Sequence, residues 1–139
     1  MDYKLKHDRR AYQNERREHQ RARINLAVTF HIESPEVLHK LLGKGEFEAT
    51  TLDLSTAGLT LLTEWPIPMW AKIIMKIVLY KYDDKGIISV YEPIEVAGIV
   101  RSSFASGTNA YRLGVGFMHI RQENDELMSF VNARLRHPA

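Results

Sequence analysis

Apolar and polar side chains alternate along one segment near the start of the chain, and this pattern most restricts the fold. From Ile24 to Ile32 every second residue is a large apolar one, and the residues between them are Asn, Ala, Thr and His. A period of two residues is typical of a β-strand that buries one of its faces. The segment therefore predicts a half-buried strand, which must pair with further strands.

Later segments of the chain repeat the strand signal, with turn-forming residues between them. We predict strands at 46–52, 59–63, 72–82, 87–91, 94–102 and 111–119. Asp83–Gly86 has the composition of a hairpin turn, and 106–109 joins the last two strands in the same way. Short consecutive strands joined by such turns pair in antiparallel fashion.

Two segments have helical spacing instead. Ser34 and Pro35 suit a helix start, and the apolar residues up to Leu42 fit one helical face, which predicts a short helical insertion near residues 35–42. Close to the C-terminus, apolar residues recur at three- and four-residue intervals and predict an amphipathic helix: Leu127, Phe130, Val131 and Leu135.

This order of elements predicts an all-β fold with added helices. A small antiparallel barrel with the last helix packed against it fits best, and a β-sandwich is the alternative. A doubly wound α/β fold is excluded because most strands have no helix between them. For Trp65, Met69 and Trp70, near two prolines, we favour packing in the core over an exposed partner patch.

The composition excludes several classes of function. The chain has no cysteine, so disulfides and cysteine-based sites are excluded. Its six histidines lack metal-ligand spacing, and no nucleophile or acid–base pair is visible, so we expect no metal, no cofactor and no catalysis. No apolar run approaches the roughly 20 residues that span a bilayer, and the N-terminus lacks a signal-peptide core. We therefore expect a cytoplasmic protein without membrane insertion.

Positive charge is concentrated at the N-terminus. Residues 1–23 carry eight Lys and Arg against four acids, whereas the whole chain has a net charge of only +2. Residues 1–22 also lack Val, Ile and Phe, so they offer little to a core. We expect residues 1–15 to form a flexible basic arm before a single domain at 16–139. Such an arm either contacts an anionic partner or is a solvated tail.

Two polar signatures flank the first predicted strand. Arg16–Arg21 reads RRxxxR, and arginine offers planar, bidentate donors for phosphate and can stack on a flat ring. Asp53–Gly58 reads DxSxxG and offers a carboxylate, a hydroxyl and bare backbone between two strand patterns. Taken separately, the first is also compatible with a solvated charge cluster and the second with a well-made turn. Together they indicate a site for an anionic ligand that carries purine bases.

RRxxxR, an alternating strand and DxSxxG, in this order, resemble the PilZ domain, a bacterial receptor for the second messenger cyclic di-GMP. Val96–Val100 and Leu113–Phe117 are similar to the last two strands of that family, and the resemblance extends from Arg16 to Leu135. It implies a six-stranded antiparallel barrel with a C-terminal helix. The helical insertion and the long hairpin around Asp83–Gly86 depart from a minimal member and could form a partner surface.

The resemblance also implies roles for individual residues. Arg17 and Arg21 would bind phosphates and stack on guanine, and Arg16 would assist, with a second ligand molecule as one option. Asp53 would read a guanine edge, while Ser55 and Gly58 would shape the pocket. Gly116, in the last strand, is included because close packing or ligand approach best explains a glycine there.

The function that follows is second-messenger signalling without catalysis. The chain would bind cyclic di-GMP, order its N-terminal arm and so change its binding to a downstream protein of the motility or polysaccharide machinery. The alternative is a small nucleic-acid-binding barrel that uses the basic arm, although the strand patterns show no clear aromatic platforms.

Overall fold

The structure, a computed structural model, describes residues 20–90, 92–118 and 125–136. Its strands are β1 (Ala22–Arg23), β2 (Ala27–Ser34), β3 (Phe47–Leu54), β4 (Gly58–Thr63), β5 (Lys72–Ile77), β6 (Tyr80–Tyr82), β7 (Ile88–Val90), β8 (Ile94–Ala105) and β9 (Tyr111–Phe117). Its helices are α1 (Val37–Leu42) and α2 (Asp125–Arg136).

Six of these strands close into an antiparallel barrel. They pair in the order β3–β2–β5–β8–β9–β4, and a further pairing of β3 with β4 completes the circle. β1 lies outside the circle and pairs with β3, while β6 and β7 form a separate hairpin. The predicted six-stranded barrel with added helices is confirmed, and closure leaves few unpaired edges.

The alternating side chains of the first predicted strand fill the barrel. Leu26, Val28, Phe30 and Ile32 are all at most 3% exposed, and the ring of Phe30 stacks on that of Phe47. The strand is not continuous, however. β1 ends at Arg23 and β2 begins at Ala27, so the predicted strand has a gap at 24–26.

Thr51 of β3 fills this gap. Its buried hydroxyl accepts a hydrogen bond from the N–H of Leu26 (2.7 Å) and donates one to the carbonyl of Ile24 (2.6 Å). The Thr51 N–H also donates to the Leu26 carbonyl at 2.9 Å, so side-chain and backbone hydrogen bonds together hold the chain to β3 where the regular ladder is interrupted. As a result β1 and β2 both lie along the same edge of β3, and the chain before β2 is directed towards Asp53.

The predicted strand at 72–82 is wrong as a single element. β5 ends at Ile77, opposite Ile94 at the start of β8 and Val28 near the start of β2. Beyond that point both partners have ended, so the chain leaves the barrel and pairs only with itself as the β6–β7 hairpin. The predicted turn is present there, and the Asp83 carboxylate accepts the N–H groups of Lys85 and Ile87 at 2.8 Å each.

The helices lie where the sequence predicts them. α1 falls inside 35–42 and buries only Leu38. α2 buries Leu127 and Val131 completely, and its Phe130 meets the ring of Tyr80 edge-on at 6.0 Å. α2 also lies beside β1. No helix of the described residues is long and apolar enough to cross a membrane.

The predicted core packing of the segment between β4 and β5 is wrong. Trp65, Met69 and Trp70 are 43%, 50% and 65% exposed. In this stretch only Ile67 and Ala71 are buried. The segment is irregular chain with a proline on each side of Ile67, so its two buried positions are four residues apart instead of alternating as in a strand.

Candidate functional site

The two sequence signatures meet at one ion pair. The Arg21 guanidinium donates from Nη1 to Oδ1 of Asp53 at 2.6 Å, and the same nitrogen lies 3.5 Å from the Thr60 hydroxyl. The Arg21 side chain is 42% exposed and that of Asp53 is 24% exposed. Residues 32 positions apart in the sequence therefore share one surface, and both keep a solvent-accessible side. Arg16 and Arg17 lie outside the described residues.

Strand pairing explains why these groups come together. Arg23 of β1 is paired with Asp53, which in turn is paired with Thr60 of β4. Thr60 is paired with Gly114 of β9. Cross-strand partners lie on the same face of a sheet. The site is therefore a row across four strands, and Arg21 reaches it from the residue before β1.

The sequence pattern predicts that the whole DxSxxG segment is a turn, and this prediction is wrong for part of it. Asp53 and Leu54 are the last residues of β3, and Gly58 is the first residue of β4. Only the three residues between them leave the ladder. This places Asp53 in a fixed strand, where its side chain has less freedom than in a loop.

Ser55 holds the turn together. Its hydroxyl is fully buried, accepts the N–H groups of Ala57 (3.2 Å) and Gly58 (3.1 Å), and donates to the Gly58 carbonyl (3.1 Å). All three hydrogen bonds of the hydroxyl are made within the turn. They fix the backbone between Asp53 and Gly58. The motif serine thus contributes shape to the site.

The glycines of the site are adjacent, and each allows a close approach. Gly58 is paired with Gly116, and a Cβ on Gly58 would lie 2.1 Å from the Val115 carbonyl oxygen. A Cβ on Gly114 would meet the Ser102 hydroxyl at 2.3 Å. A Cβ on Gly116 would meet Nε of Arg101 at 3.2 Å. Gly114 and Gly116 are half-buried, so they form a strip of β9 without side chains beside Thr60.

Sequence reasoning missed three residues of this surface. Thr60 could have been found, since it lies two residues after the motif glycine and therefore on the same strand face. Arg23 and Arg101 belong to no motif and are recognised only from the register. Arg21, Arg23 and Arg101 outnumber the Asp53 carboxylate, so the surface favours an anion.

Comparisons with known proteins agree with this architecture. The model of the PilZ domain matches residues 15–133 of the chain. A search among curated proteins found no match.

Two solved structures resemble the chain in fold. The inhibitor of motility MotI/DgrA from Bacillus subtilis has a TM-score of 0.60 and 13% identity, over 86% of this chain and 50% of that one. The PilZ domain with c-di-GMP of YcgR from Escherichia coli has a TM-score of 0.50 and 14% identity, over 86% and 94%. The chain thus spans half the length of the MotI/DgrA structure. At these identities the likeness establishes the barrel fold.

Proposed function

The chain belongs to the PilZ domain family, a family of cyclic di-GMP receptors, and from this premise we propose that it is itself a non-catalytic receptor for cyclic di-GMP. The observation that carries the proposal is the contact between Arg21 and Asp53. It brings a phosphate-binding cation and a base-reading carboxylate to one partly exposed surface. Cyclic di-GMP has two phosphates and two guanines, so it needs both kinds of group.

The ion pair leaves binding capacity on both partners. A guanidinium has five N–H donors, and within the part of the chain that the structure describes, Arg21 uses Nη1 alone, towards Asp53 and Thr60. A carboxylate accepts about four hydrogen bonds over its two oxygens, of which Oδ1 takes one from Arg21. Arg21 can therefore bind a phosphate while it still orients Asp53. The Asp53 carboxylate can accept the N1–H and the exocyclic amine of a guanine.

The remaining motif residues receive roles consistent with their positions. We assign Arg17 a phosphate and a guanine face, as the family resemblance implies, with Arg16 assisting. Ser55 and Gly58 are assigned to the shape of the turn and Gly116 to the approach of the ligand along β9. The arginines before Gln20 would close the ligand from the side opposite the barrel.

The first test is ligand choice. We expect cyclic di-GMP to bind, and cyclic di-AMP and GMP to bind at least about tenfold more weakly, since each polar group left unpaired in the site costs roughly 1–3 kcal/mol. Titration calorimetry with each ligand measures this. In Asp53→Asn the preference for guanine over adenine should shrink, whereas Glu46→Gln, which alters the Lys76–Glu46 pair elsewhere on the barrel, should leave it unchanged. Equal affinity for the adenine ligand in the unmodified protein would contradict the role of Asp53.

The alternative, a nucleic-acid-binding barrel, predicts a different dependence of affinity on salt concentration, which the same calorimetric titrations measure. Binding to a short single-stranded RNA would weaken steeply with salt, because each neutralised phosphate releases a counterion. A small ligand with two phosphates has a much shallower dependence. Tight, salt-sensitive RNA binding together with weak cyclic di-GMP binding would favour the alternative.

We further propose that the ligand signals by ordering the chain before Gln20. β1 is already held by β3, by Thr51 and by neighbouring α2, so Ala22 and Arg23 need no ligand to be placed. The segment left for the ligand to order is thereby shorter than residues 1–22, the stretch that lacks Val, Ile and Phe. Ordering costs roughly 1–2 kcal/mol per residue, which also limits it to a few residues near the arginines. The ordered segment, the ligand and the barrel would form a composite surface for a downstream protein.

Hydrogen exchange tests this mechanism. Amides of Glu15–His19 should gain protection when cyclic di-GMP binds, whereas Ala22, Arg23 and their partners on β3 should change little. The hairpin turn at Asp83–Gly86 serves as an internal reference far along the chain. Equal protection of Glu15–His19 with and without the ligand would show that the signal travels another way, for instance through oligomeric state.

A further inference from the structure

An arginine and a tryptophan side chain lie across the glycine strip from Asp53. Arg101 occupies a β-bulge between Val100 and Ser102, which turns its side chain to the outer face of β8. Its Nε and Cγ lie 3.2 and 3.5 Å from where a Cβ of Gly116 would be. The arginine stem therefore lies over the bare backbone of Gly116, next to the motif glycine on β4.

Trp70 completes this group. The Arg101 guanidinium carbon lies 5.5 Å from the centre of the Trp70 ring, within the range of a cation–π contact. Trp70 has a φ of +72°, which is rare for a bulky residue, and its N–H donates to the Val100 carbonyl at 2.7 Å. Its ring is nevertheless 65% exposed. A strained backbone that presents an exposed aromatic ring is a feature found at binding sites.

Asp53 and the pair of Arg101 and Trp70 lie on opposite sides of the glycine strip. Asp53, Thr60 and Gly114 are successive cross-strand partners. Two strand spacings separate Asp53 from the glycine strip, roughly 10 Å, and Arg101 begins on the far side of that strip. Gly114 and Gly116 have no side chains of their own, and the Ser102 hydroxyl and the Arg101 stem lie close above them, so a ligand that spans the two groups rests on these two side chains.

We propose that Trp70 and Arg101 bind the second guanine of the cyclic dinucleotide whose first guanine is read by Asp53. This inference rests on the proposed function and adds a base-binding subsite to it. The Trp70 ring supplies a stacking face, and stacking is independent of the base. The Arg101 fork supplies donors for the O6 and N7 acceptors of guanine, the commonest specific contact of arginine with that base. Among the described residues Arg101 forms no ion pair with a carboxylate, so its donors are not committed there.

The test uses variants that do not endanger the fold. Trp70→Gly removes the ring and suits the positive φ, so thermal stability should stay close to wild type while cyclic di-GMP affinity falls roughly 5- to 150-fold, as for other base-stacking aromatics. Arg101→Ala should lose at least about tenfold, and Arg101→Lys should recover little because lysine lacks the planar fork. Arg112→Ala is the matched control, since Arg112 is another exposed arginine of the β8–β9 face, beyond the glycine strip, and should change affinity less than twofold.

Tryptophan fluorescence distinguishes direct contact with the ligand from a purely structural role of Trp70, because a structural role would not change the emission when the ligand binds. The chain has two tryptophans. Cyclic di-GMP should quench the emission of Trp65→Phe, in which only Trp70 remains, and should leave Trp70→Phe nearly unchanged. If Trp70→Gly and Arg101→Ala bind cyclic di-GMP like wild type while Asp53→Asn loses its guanine preference, the subsite is overturned and the proposed function stands. If unmodified protein does not bind cyclic di-GMP at all, both are overturned.

Discussion

Replacing Arg21 with alanine should weaken the binding of cyclic di-GMP by roughly 2–4 kcal/mol, or about 30- to 1000-fold. The arginine is expected to supply charge-assisted hydrogen bonds to a phosphate. Its loss would also leave the Asp53 carboxylate, 2.6 Å from Nη1 in the structure, without its counter-charge beside a dianionic ligand. Both effects act in the same direction, which is why we expect a large change.

The fold should survive this substitution. Arg21 precedes β1, its side chain is 42% exposed, and surface ion pairs contribute only about 0–1 kcal/mol to stability. Calorimetric titration of the variant, with an unfolding curve beside it, therefore separates binding from folding. Arg17→Ala should behave like Arg21→Ala.

Lys76→Ala is the matched control for the arginine. Lys76 forms an ion pair with Glu46 at 3.1 Å and is 46% exposed, so the variant loses an equal charge and a similar contact. It lies on β5, outside the proposed site, and should bind normally. Arg9→Ala and Arg10→Ala should likewise have little effect. Equal small losses in all five variants would indicate a diffuse field of charge and would favour the nucleic-acid alternative.

The sequence predicts well those features of the fold that depend on residue spacing within one strand or one helix. The alternation from Ile24 to Ile32 predicts which side chains face the core, because the period of a strand is a local property. The spacing of Leu127 and Val131 predicts the buried side of α2 in the same way. The closed barrel follows from many short strands that each need a partner.

What the sequence misses depends on register between distant segments. The gap between β1 and β2 exists because Thr51, about 25 residues later, supplies the missing hydrogen bonds. The end of β5 is fixed by where β2 and β8 begin. Thr60 and Arg101 lie at the site only because β3, β4, β9 and β8 are paired in this order. The spacing of residues within a single strand does not predict such pairing.

Ser55 shows a second reason why a sequence motif alone does not assign the role of a residue. A serine in DxSxxG suits a ligand contact and a tight turn equally well, since its hydroxyl can do either. Only the geometry, in which that hydroxyl is fully buried and bonded to Ala57 and Gly58, favours the turn. The same ambiguity holds for the motif glycine, where the structure leads to a sharper experiment.

Gly58→Ala should destabilise the fold by about 3 kcal/mol or more, at the upper end of overpacking effects. The new methyl group would lie 2.1 Å from the Val115 carbonyl oxygen. That oxygen belongs to the backbone of β9, so it cannot move aside without disturbing the β4–β9 pairing. Gly45→Ala is the matched control, because nothing lies within 4 Å of its Cβ position and its φ is not positive. It should leave stability unchanged or raise it by about 0.4–1 kcal/mol.

Denaturant unfolding of both glycine variants, with cyclic di-GMP titration of whatever remains folded, decides what the motif glycine does. A large loss of stability in Gly58→Ala would mean that the glycine is required by strand packing and that any loss of binding is secondary. Normal stability with lost binding would contradict this and assign the bare backbone to the ligand. Gly116→Ala provides the intermediate case: its methyl group meets the Arg101 side chain at 3.2 Å, which can shift, so the fold should survive. Binding should weaken there because the displaced Arg101 side chain leaves the position that we propose for contact with the second guanine.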